Sequence, residues 1–587
     1  MGKNFTRPTT LVELLRYRAQ AQPGKTAYTF LEDGETEEIS LTYEQLDLRA
    51  RAIAVQLQRI SPPGECALLL YSAGLEFIAA FFGCLYAGVV AVPTYPPRRN
   101  RPDPRFQAIA EGARADVVLA TSEILSGSDS RLTQAPELGN LHCLATDSLA
   151  GETVPGWRMP DIHSDTLALL QYTSGSTDIP KGVMVSHDNL LHNQEMIRQG
   201  FGHTEDTVGV GWLPLFHDMG LIGNVLQPLY GGSSMILMSP TAFLQRPFRW
   251  LQAISRYRGT INGGPNFAYD LCVDNSTPEQ RAKLDLGDWT LAFTGAEPVR
   301  AETLDRFAKT FASCGFRREA FYPTYGMAEA TLFVSGGSKS APPVIHEATI
   351  QGNHVITGRS AIQRFVGCGH SWLDQKIVIV DPQTHLARPD RQVGEIWVSG
   401  KSVAQGYWNR TEETRQTFRA HLADTGEGPF LRTGDLGFLK EGELFVTGRI
   451  KDLIIIHGQN HYPQDIEFTV EKSHEALVMG GAAAFSVEEA GREKLVIVQE
   501  IQRTRLRKLD TKEVFDAIRK NVLHRHELAP HTILLVKPGQ LPRTSSGKVR
   551  RHMCQIRFLA NGLETVAKWQ HSRFGGVVTK PNSTNKE

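Results

Sequence analysis

Short apolar runs alternate with amphipathic stretches along most of the 587-residue chain. Cys66–Tyr71 (CALLLY), Asp116–Ala120 (DVVLA) and Leu167–Gln171 (LALLQ) are continuously apolar, as strands covered on both faces of a parallel sheet must be. Between the first two, the spacing predicts a helix over Leu75–Ala87, and the breaker-rich Pro93–Pro104 (PTYPPRRNRPDP) follows it. Phe77–Val92 (FIAAFFGCLYAGVVAV) is uncharged but falls short of the roughly 20 residues that span a bilayer, so it reads as a buried helix running into a core strand. Asp374–Asp381 (DQKIVIVD) and Gly394–Ser399 (GEIWVS) alternate more, as in a smaller antiparallel sheet. The pattern breaks near Val446–Lys451 (VTGRIK). Beyond it the chain reads as a strand (DLIIIHG), a helix around Gln464–Ser473, strands at Ala482–Phe485 and Lys494–Gln499, and a basic helix over Lys512–Arg525. These last 110 to 140 or so residues suffice for a separate α+β unit, and no internal repeat is evident.

Composition narrows the classes. Lys plus Arg and Asp plus Glu both number 63, so bulk charge gives no reason to expect nucleic acid or an anionic membrane as partner. Hydrophobic residues at 41% and charged residues at 21% are those of a globular chain and argue against global disorder. The opening MGKNFTRPTTLVELL lacks the apolar stretch of a secretory signal. Seven cysteines, scattered and without a CxxC pair, argue against a disulfide framework or a zinc site. A cytoplasmic protein, with no integral membrane association, is the expectation.

Five stretches carry candidate chemistry. In Gln171–His187 (QYTSGSTDIPKGVMVSH) an apolar strand runs into small and hydroxyl residues and then Lys181, a composition that lets backbone and donors approach phosphate oxygens. It lacks the Walker spacing, and a plain Ser/Gly turn fits the same letters. Gly211–Gly223 (GWLPLFHDMGLIG) sets His217 and Asp218 among apolar residues, which suits either a ligand with a polar head and apolar tail or a structural pair. Thr324–Thr331 (TYGMAEAT) has Glu329 as its only charge, able to hold a divalent cation beside phosphates or to sit on a solvated helix face. In Arg432–Gly437 (RTGDLG), Asp435 in a glycine-bearing turn can accept from ribose hydroxyls or close an Asx turn. In Leu541–Arg551 (LPRTSSGKVRR), Lys548 has Arg543, Arg550, Arg551 and Arg557 close in sequence. That pattern presents a mobile charge to a transition state, or is a solvated basic face.

Taken together and in order, YTSGSTDIPKG, TGAEP (Thr294–Pro298), YGMAEAT, RTGDLG, TGRIKDLIIIHGQN and PRTSSGK resemble the adenylate-forming superfamily of acyl-CoA synthetases, luciferases and peptide-synthetase adenylation domains. The resemblance covers about residues 10–560. WLPLFHDMGLIG, GGPNFAYDLC (Gly263–Cys272), NHYPQDIE (Asn460–Glu467) and a long segment at about 331–365 are most similar to the fatty acyl-AMP ligases. In those ligases an insertion in this region is thought to restrain the C-terminal domain and disfavour free CoA. One departure stands out: Asp178 occupies a position where the family usually has glycine.

The resemblance implies an α/β fold. A large N-terminal domain over 1–447 would hold parallel-rich sheets flanked by helices and a small antiparallel, barrel-like subdomain, with the insertion at about 331–365. A small mobile α+β C-terminal domain over 448–575 and a polar tail over 576–587 would follow. It also implies ATP-dependent conversion of a medium- or long-chain fatty acid to acyl-adenylate with loss of pyrophosphate. The acyl group would then pass to the phosphopantetheine thiol of a holo acyl carrier protein, that of a polyketide or peptide synthetase among the candidates.

By the same resemblance Thr173, Ser174, Gly175, Ser176, Thr177 and Lys181 cradle the β- and γ-phosphates and Glu329 holds Mg²⁺. Gly295, Ala296 and Glu297 run along the adenine, Tyr325 stacks on it with Gly326 and Met327 beside it, and Asp435 and Arg449 take the ribose. His217 sits near the acyl-phosphate junction, Trp212, Met219, Phe267 and Ala268 wall the acyl site, Lys451 is the hinge, and Lys548 is catalytic. An acyl-CoA synthetase would use the same Glu329 and Lys548, so only the 331–365 segment and the docking surface separate the two readings. A nucleotide-binding protein without catalysis is a third, and a nucleic-acid binder resting on Pro97–Arg105 and Arg503–Lys508 the weakest. A monomer is expected.

Overall fold

The computed structural model describes residues 8–96, 104–126, 141–149, 156–173, 180–358, 363–456, 459–489, 492–544, 547–572 and 575–579. Among them, a six-stranded sheet runs in the order His142–Ala145, Val117–Ala120, Cys66–Leu70, Val90–Thr94, Leu167–Tyr172 and Gly182–Ser186. Its strands pair in parallel except the last two, which are antiparallel. Cys66–Leu70, Val90–Thr94 and Val117–Ala120 are buried along their whole length, as helix-covered parallel strands require.

The helix over Leu75–Ala87 forms where the pattern predicts it, with every residue but Glu76 buried. Left-handed Gly88 closes it and lets the chain turn directly into Val90–Thr94. A Cβ on Gly83 would lie 2.4 Å from Ile53 Cγ2, so this helix and Tyr43–Ile60 pack closer than any side chain would permit.

The second sheet has eight strands, in the order Phe333–Gly336, Phe321–Gly326, Leu291–Thr294, Ile261–Gly263, Val208–Gly211, Ser234–Met238, Thr26–Leu31 and Glu38–Thr42. Its interior is parallel and its two edge pairs are antiparallel. The motif residues at 212–219, 264–268, 295–297 and 327–329 follow the carboxyl ends of four of these strands. Open α/β sheets place their ligand crevices at such ends.

Two small antiparallel sheets complete this part. One joins Lys376–Val380, Gly394–Ser399, Leu431–Lys440 and Glu443–Arg449, and the other joins His354–Ile356, Ile345–Gln351 and Gln363–Val366. An isolated bridge from Gly367 to Phe445 links them.

The residues after 450 assemble a five-stranded sheet led by the long hairpin Leu477–Glu489 and Arg492–Ile501, with helices Pro463–Glu471, Thr511–His526 and Arg551–Leu559. Two apolar cores form here entirely from residues 454 to 569. No helix among the described residues is long and apolar enough to cross a membrane.

Candidate active site

The strand ends open onto a cavity of about 920 Å³ that is also lined by Arg543, Thr544 and Gly547–Arg551 from late in the chain. Thr173, Lys181, His217, Met219, Phe267, Ala296, Glu297, Tyr325, Gly326, Met327, Glu329, Asp435, Arg449, Lys451 and Lys548 all line it. Ser174, Gly175, Ser176 and Thr177, with Asp178, lie outside the described residues. Thr173 is fixed at the rim by its N–H donating to Lys181 O at 3.0 Å and its carbonyl accepting from Arg105 Nη2 at 3.0 Å.

Asp435 corrects the turn expected of RTGDLG. It lies within the strand Leu431–Lys440, directly opposite Arg449 on Glu443–Arg449. The local signal was real but misread: Gly434 has φ of +69°, a left-handed kink inside a strand whose pairing is long-range. Asp435 Oδ1 accepts from Arg449 Nε at 2.7 Å and Oδ2 from Tyr325 Oη at 2.8 Å. Burial and the neighbouring Asp435 push the Tyr325 phenol well above its ordinary range, so it stays a donor.

Glu329 sits on the tight turn Ala328–Ala330, and Tyr407 Oη donates to its Oε1 at 2.9 Å. The next turn is strained: Thr331, β-branched and fully buried, has φ of +68°. Its hydroxyl donates to Ser402 O at 2.6 Å, and Ala404 N–H donates to the Glu329 backbone carbonyl at 2.9 Å, so the 402–404 backbone fixes the turn that bears the carboxylate. Burial raises the Glu329 pKa despite the Tyr407 bond, the state of a carboxylate short of positive partners. Lys181 is ion-paired with Glu413, its ammonium 4.7 Å from the centre of the same Tyr407 ring.

His217 and Asp218 pair at 2.5 Å between Nδ1 and Oδ1. They precede an unusual π-helix over Met219–Leu226, capped by Asp218 Oδ1 accepting from Met219 N–H at 2.7 Å. Burial alone would raise the Asp218 pKa, but His217, the cap and Lys548 hold it below the ordinary value. The Lys548 loop is closed by Thr544 N–H donating to Lys548 O at 2.7 Å and Lys548 N–H to Thr544 Oγ1 at 3.0 Å. Gly547, at φ of +85°, brings this loop against the Phe267 ring, which would lie 3.7 Å from a Cβ there. Burial lowers the Lys548 pKa against the pull of Glu297, Asp218 and Asp435. A lysine from the last fifth of the chain thus feels two carboxylates that follow strand ends, Asp218 and Glu297, and one from within a strand, Asp435.

Three of the residues named from sequence sit behind the surface of the cavity. Trp212 stacks on Phe243, with ring centres 3.9 Å apart, Ala268 is fully buried, and Gly295 packs where a Cβ would lie 2.6 Å from Thr324 Oγ1. The arginines around Lys548 are not all a solvated face either. Arg551 is held by Glu467 at 2.7 Å and Asp452 at 2.9 Å, and Arg543 reaches buried Glu500 at 3.3 Å. Tyr407 and Glu413 belong to the site by tertiary contact alone, since nothing in AQGYWNRTEET marks them.

Residues 15–408 match the AMP-binding enzyme family, and residues 451–568 match the AMP domain of Disco-interacting protein 2-like proteins. The chain belongs to the AMP-binding enzyme family. It is 50% identical over 569 residues to the medium-chain-fatty-acid–[acyl-carrier-protein] ligase JamA of Moorena producens, covering 95% of this chain and 96% of that one. It is 36% identical to the ligase of the same description, TtuA, of Teredinibacter turnerae, with 98% of each chain covered. A solved structure of the Legionella pneumophila fatty acyl-adenylate ligase, in complex with acyl adenylate and pyrophosphate, superposes with a TM-score of 0.75 at 43% identity, covering 97% of this chain and 99% of that one. The likeness of this AMP-binding enzyme to its relatives therefore runs almost end to end, through both the strand-end cleft and the residues that bear Lys548.

Proposed function

We propose that the enzyme activates a medium-chain fatty acid with ATP and hands the acyl group to an acyl carrier protein. The observation that carries this reading is the convergence on one cavity of Lys548, Asp435 with Arg449 and Tyr325, Glu329, and the His217–Asp218 pair, above an inner part walled by Met219 and Phe267. In the first step a carboxylate oxygen of the fatty acid attacks the α-phosphorus of ATP, the bond to the β-phosphate oxygen breaks, and pyrophosphate leaves. Such chemistry calls for positioning and charge neutralisation, not for a protein nucleophile.

Asp435, oriented by two hydrogen bonds, accepts from the ribose hydroxyls with Arg449 beside it. Ala296 and Glu297 run along the adenine, with Gly295 supporting them from behind, and Tyr325 flanks it with Gly326 and Met327. Thr173 and Lys181 reach the phosphates. Lys548 spans the carboxylate and the phosphate oxygens as negative charge gathers there, and its desolvated ammonium acts more strongly than one in water. His217, held by Asp218, lies at the junction of acyl chain and phosphate. Met219 and Phe267 face the acyl chain, while Trp212 and Ala268 back that wall.

Mg²⁺ fits Glu329. Among the described residues no group of three or more His, Cys, Asp or Glu is set to hold a metal. A single buried carboxylate completed by phosphate oxygens and water is, however, the usual setting for this ion. Bound there it would neutralise phosphate charge.

In the second step the carrier's phosphopantetheine thiol attacks the acyl carbonyl and AMP departs. We take 1–447 and 448–575 as the two moving bodies, with Lys451 as hinge. The preference for a carrier over free CoA is supported by the 331–365 segment, where Gln363 donates to Asp465 at 2.5 Å and so ties that segment to the later residues. The descriptions of JamA and TtuA support it too. All seven cysteines are unpaired, which suits a reducing, cytoplasmic setting, and we take the protein to act as a monomer.

The test is product analysis with labelled decanoic acid, ATP and Mg²⁺, with free CoA or with holo acyl carrier protein. Acyl-adenylate that accumulates, resists CoA and is discharged by the carrier is the expected result. Efficient acyl-CoA formation would refute the acceptor, and absence of pyrophosphate release would refute the reaction.

A further inference from the structure

From the inner lining of the cavity we infer that the fatty acid this enzyme selects carries an oxygen function, a carbonyl or hydroxyl, on the inner half of its chain. The inference rests on the fatty-acid activation proposed above and names its substrate class.

A tunnel for plain hydrocarbon needs only apolar walls, and buried polar side chains in proteins almost always have partners. Here two polar side chains line the cavity among apolar neighbours: Asn224 and His203, only 3% and 9% exposed. Nδ2 of Asn224 and Nδ1 of His203 have no hydrogen-bond partner in the protein.

Asn224 projects from the π-helix into space that the strand Val208–Gly211 leaves open. A Cβ on Gly211 would lie 2.3 Å from Asn224 Nδ2 and 2.6 Å from Met235 Cε, so only glycine admits the amide there. His203 is neutral at physiological pH, since burial brings its pKa down to about 3, and its ring stacks on Phe201 with centres 5.9 Å apart. An amide donor and a neutral imidazole are matched by an oxygen that accepts an N–H bond from the amide and, as a hydroxyl, also donates one to the imidazole. A saturated chain would strip water from these groups and leave them bare. That penalty is on the order of tenfold in affinity for each buried donor left unmatched.

The experiment measures pyrophosphate release by the full-length enzyme with decanoic acid and with its oxo and hydroxy derivatives, substituted at each carbon of the inner half. At one position kcat/KM is expected to exceed that for decanoic acid by about tenfold or more. Asn224→Leu is expected to invert the order, losing rate on the favoured derivative and gaining on decanoic acid. Should that variant not fold, the wild-type ranking decides alone. Decanoic acid outranking every derivative in the wild type would overturn the inference and leave fatty-acid activation standing. No release with any of these acids would overturn the activation itself.

Discussion

Gly220→Ala tests whether the π-helix is what holds the His217–Asp218 pair in place. A Cβ at this position would stand 2.0 Å from Pro214 O, 2.6 Å from Pro214 C and 3.0 Å from Leu213 O, all of them backbone atoms that cannot swing aside. Contacts below 3.0 Å are essentially not tolerated, so the turn from Pro214 to Gly220 has to open by about 1 Å. His217, Asp218 and Met219 lie on that turn, and a displacement of about 1 Å at reacting groups costs roughly a hundredfold in rate, or about 2.7 kcal/mol. Overpacking of this kind also costs roughly 1–3 kcal/mol in stability. The assays are kcat/KM for pyrophosphate release and the urea midpoint. Gly223→Ala is the internal control for stability, because a Cβ there meets nothing nearer than Leu332 Cδ2 at 4.0 Å. A Gly220→Ala enzyme with wild-type rate and midpoint would refute the claim that close backbone approach at this turn positions the pair.

Lys548→Ala should lower adenylation by at least roughly a hundredfold, as loss of a desolvated transition-state contact does, and an unchanged rate of pyrophosphate release would remove its catalytic assignment. Tyr325→Phe deletes the hydroxyl on Asp435 Oδ2 while Arg449 remains, and should raise the KM for ATP by about tenfold, from a charged hydrogen bond worth roughly 1.5 kcal/mol. An unaltered KM would show that Asp435 needs only Arg449. Asp465→Asn carries a pH signature. Burial, then repulsion from Glu467, lifts the Asp465 carboxyl to about 7, against the pull of Arg300 and Arg551 and the Gln363 hydrogen bond. Its contribution to stability is therefore full below about pH 4, near the unfolded carboxyl value, and lost as pH rises through about 7. The variant's urea midpoint should exceed that of the wild type at about pH 8 and approach it at about pH 5, and a pH-independent difference would refute the shift.

What was legible in the sequence follows from how locally each feature is determined. Leu75–Ala87 is a helix between two buried strands because its own apolar residues and Gly88 dictate it, and that much reads directly. The motif residues of the cleft were visible because small residues, glycines and single charges concentrate at strand ends. Asp435 was mistaken for a turn residue because Gly434 is left-handed in either setting, and only its partner strand, a separate stretch of chain ending at Arg449, separates the two. Tyr407 and Glu413 meet Glu329 and Lys181 across more than 70 and 200 residues of sequence respectively, a distance over which no local pattern reports. Arg551 looked like a surface charge because its partners, Asp452 and Glu467, come from other elements. Asn224 went unremarked inside GLIGN because an amide acquires meaning only once its spare donor is known to be buried.

The apolar cores built from residues 454 to 569 draw on nothing earlier in the chain. What joins this body to the rest is largely polar: Arg300 to Glu471 at 3.8 Å, Gln363 to Asp465 at 2.5 Å, and Gln464 to Thr447 O at 2.5 Å. Two contacts are not polar: the Lys548 loop lies against the Phe267 ring, and Tyr462 is buried in the same cluster as Phe438 and Phe445, with Ile450 and Leu453 packed against that cluster, a few residues from Lys451. Water can replace each of the polar links but not the Tyr462 contact. In the proposed rotation about Lys451, such a seam would unzip from its far edge while staying greased at the pivot, and Lys548 would leave the cleft without wetting either core.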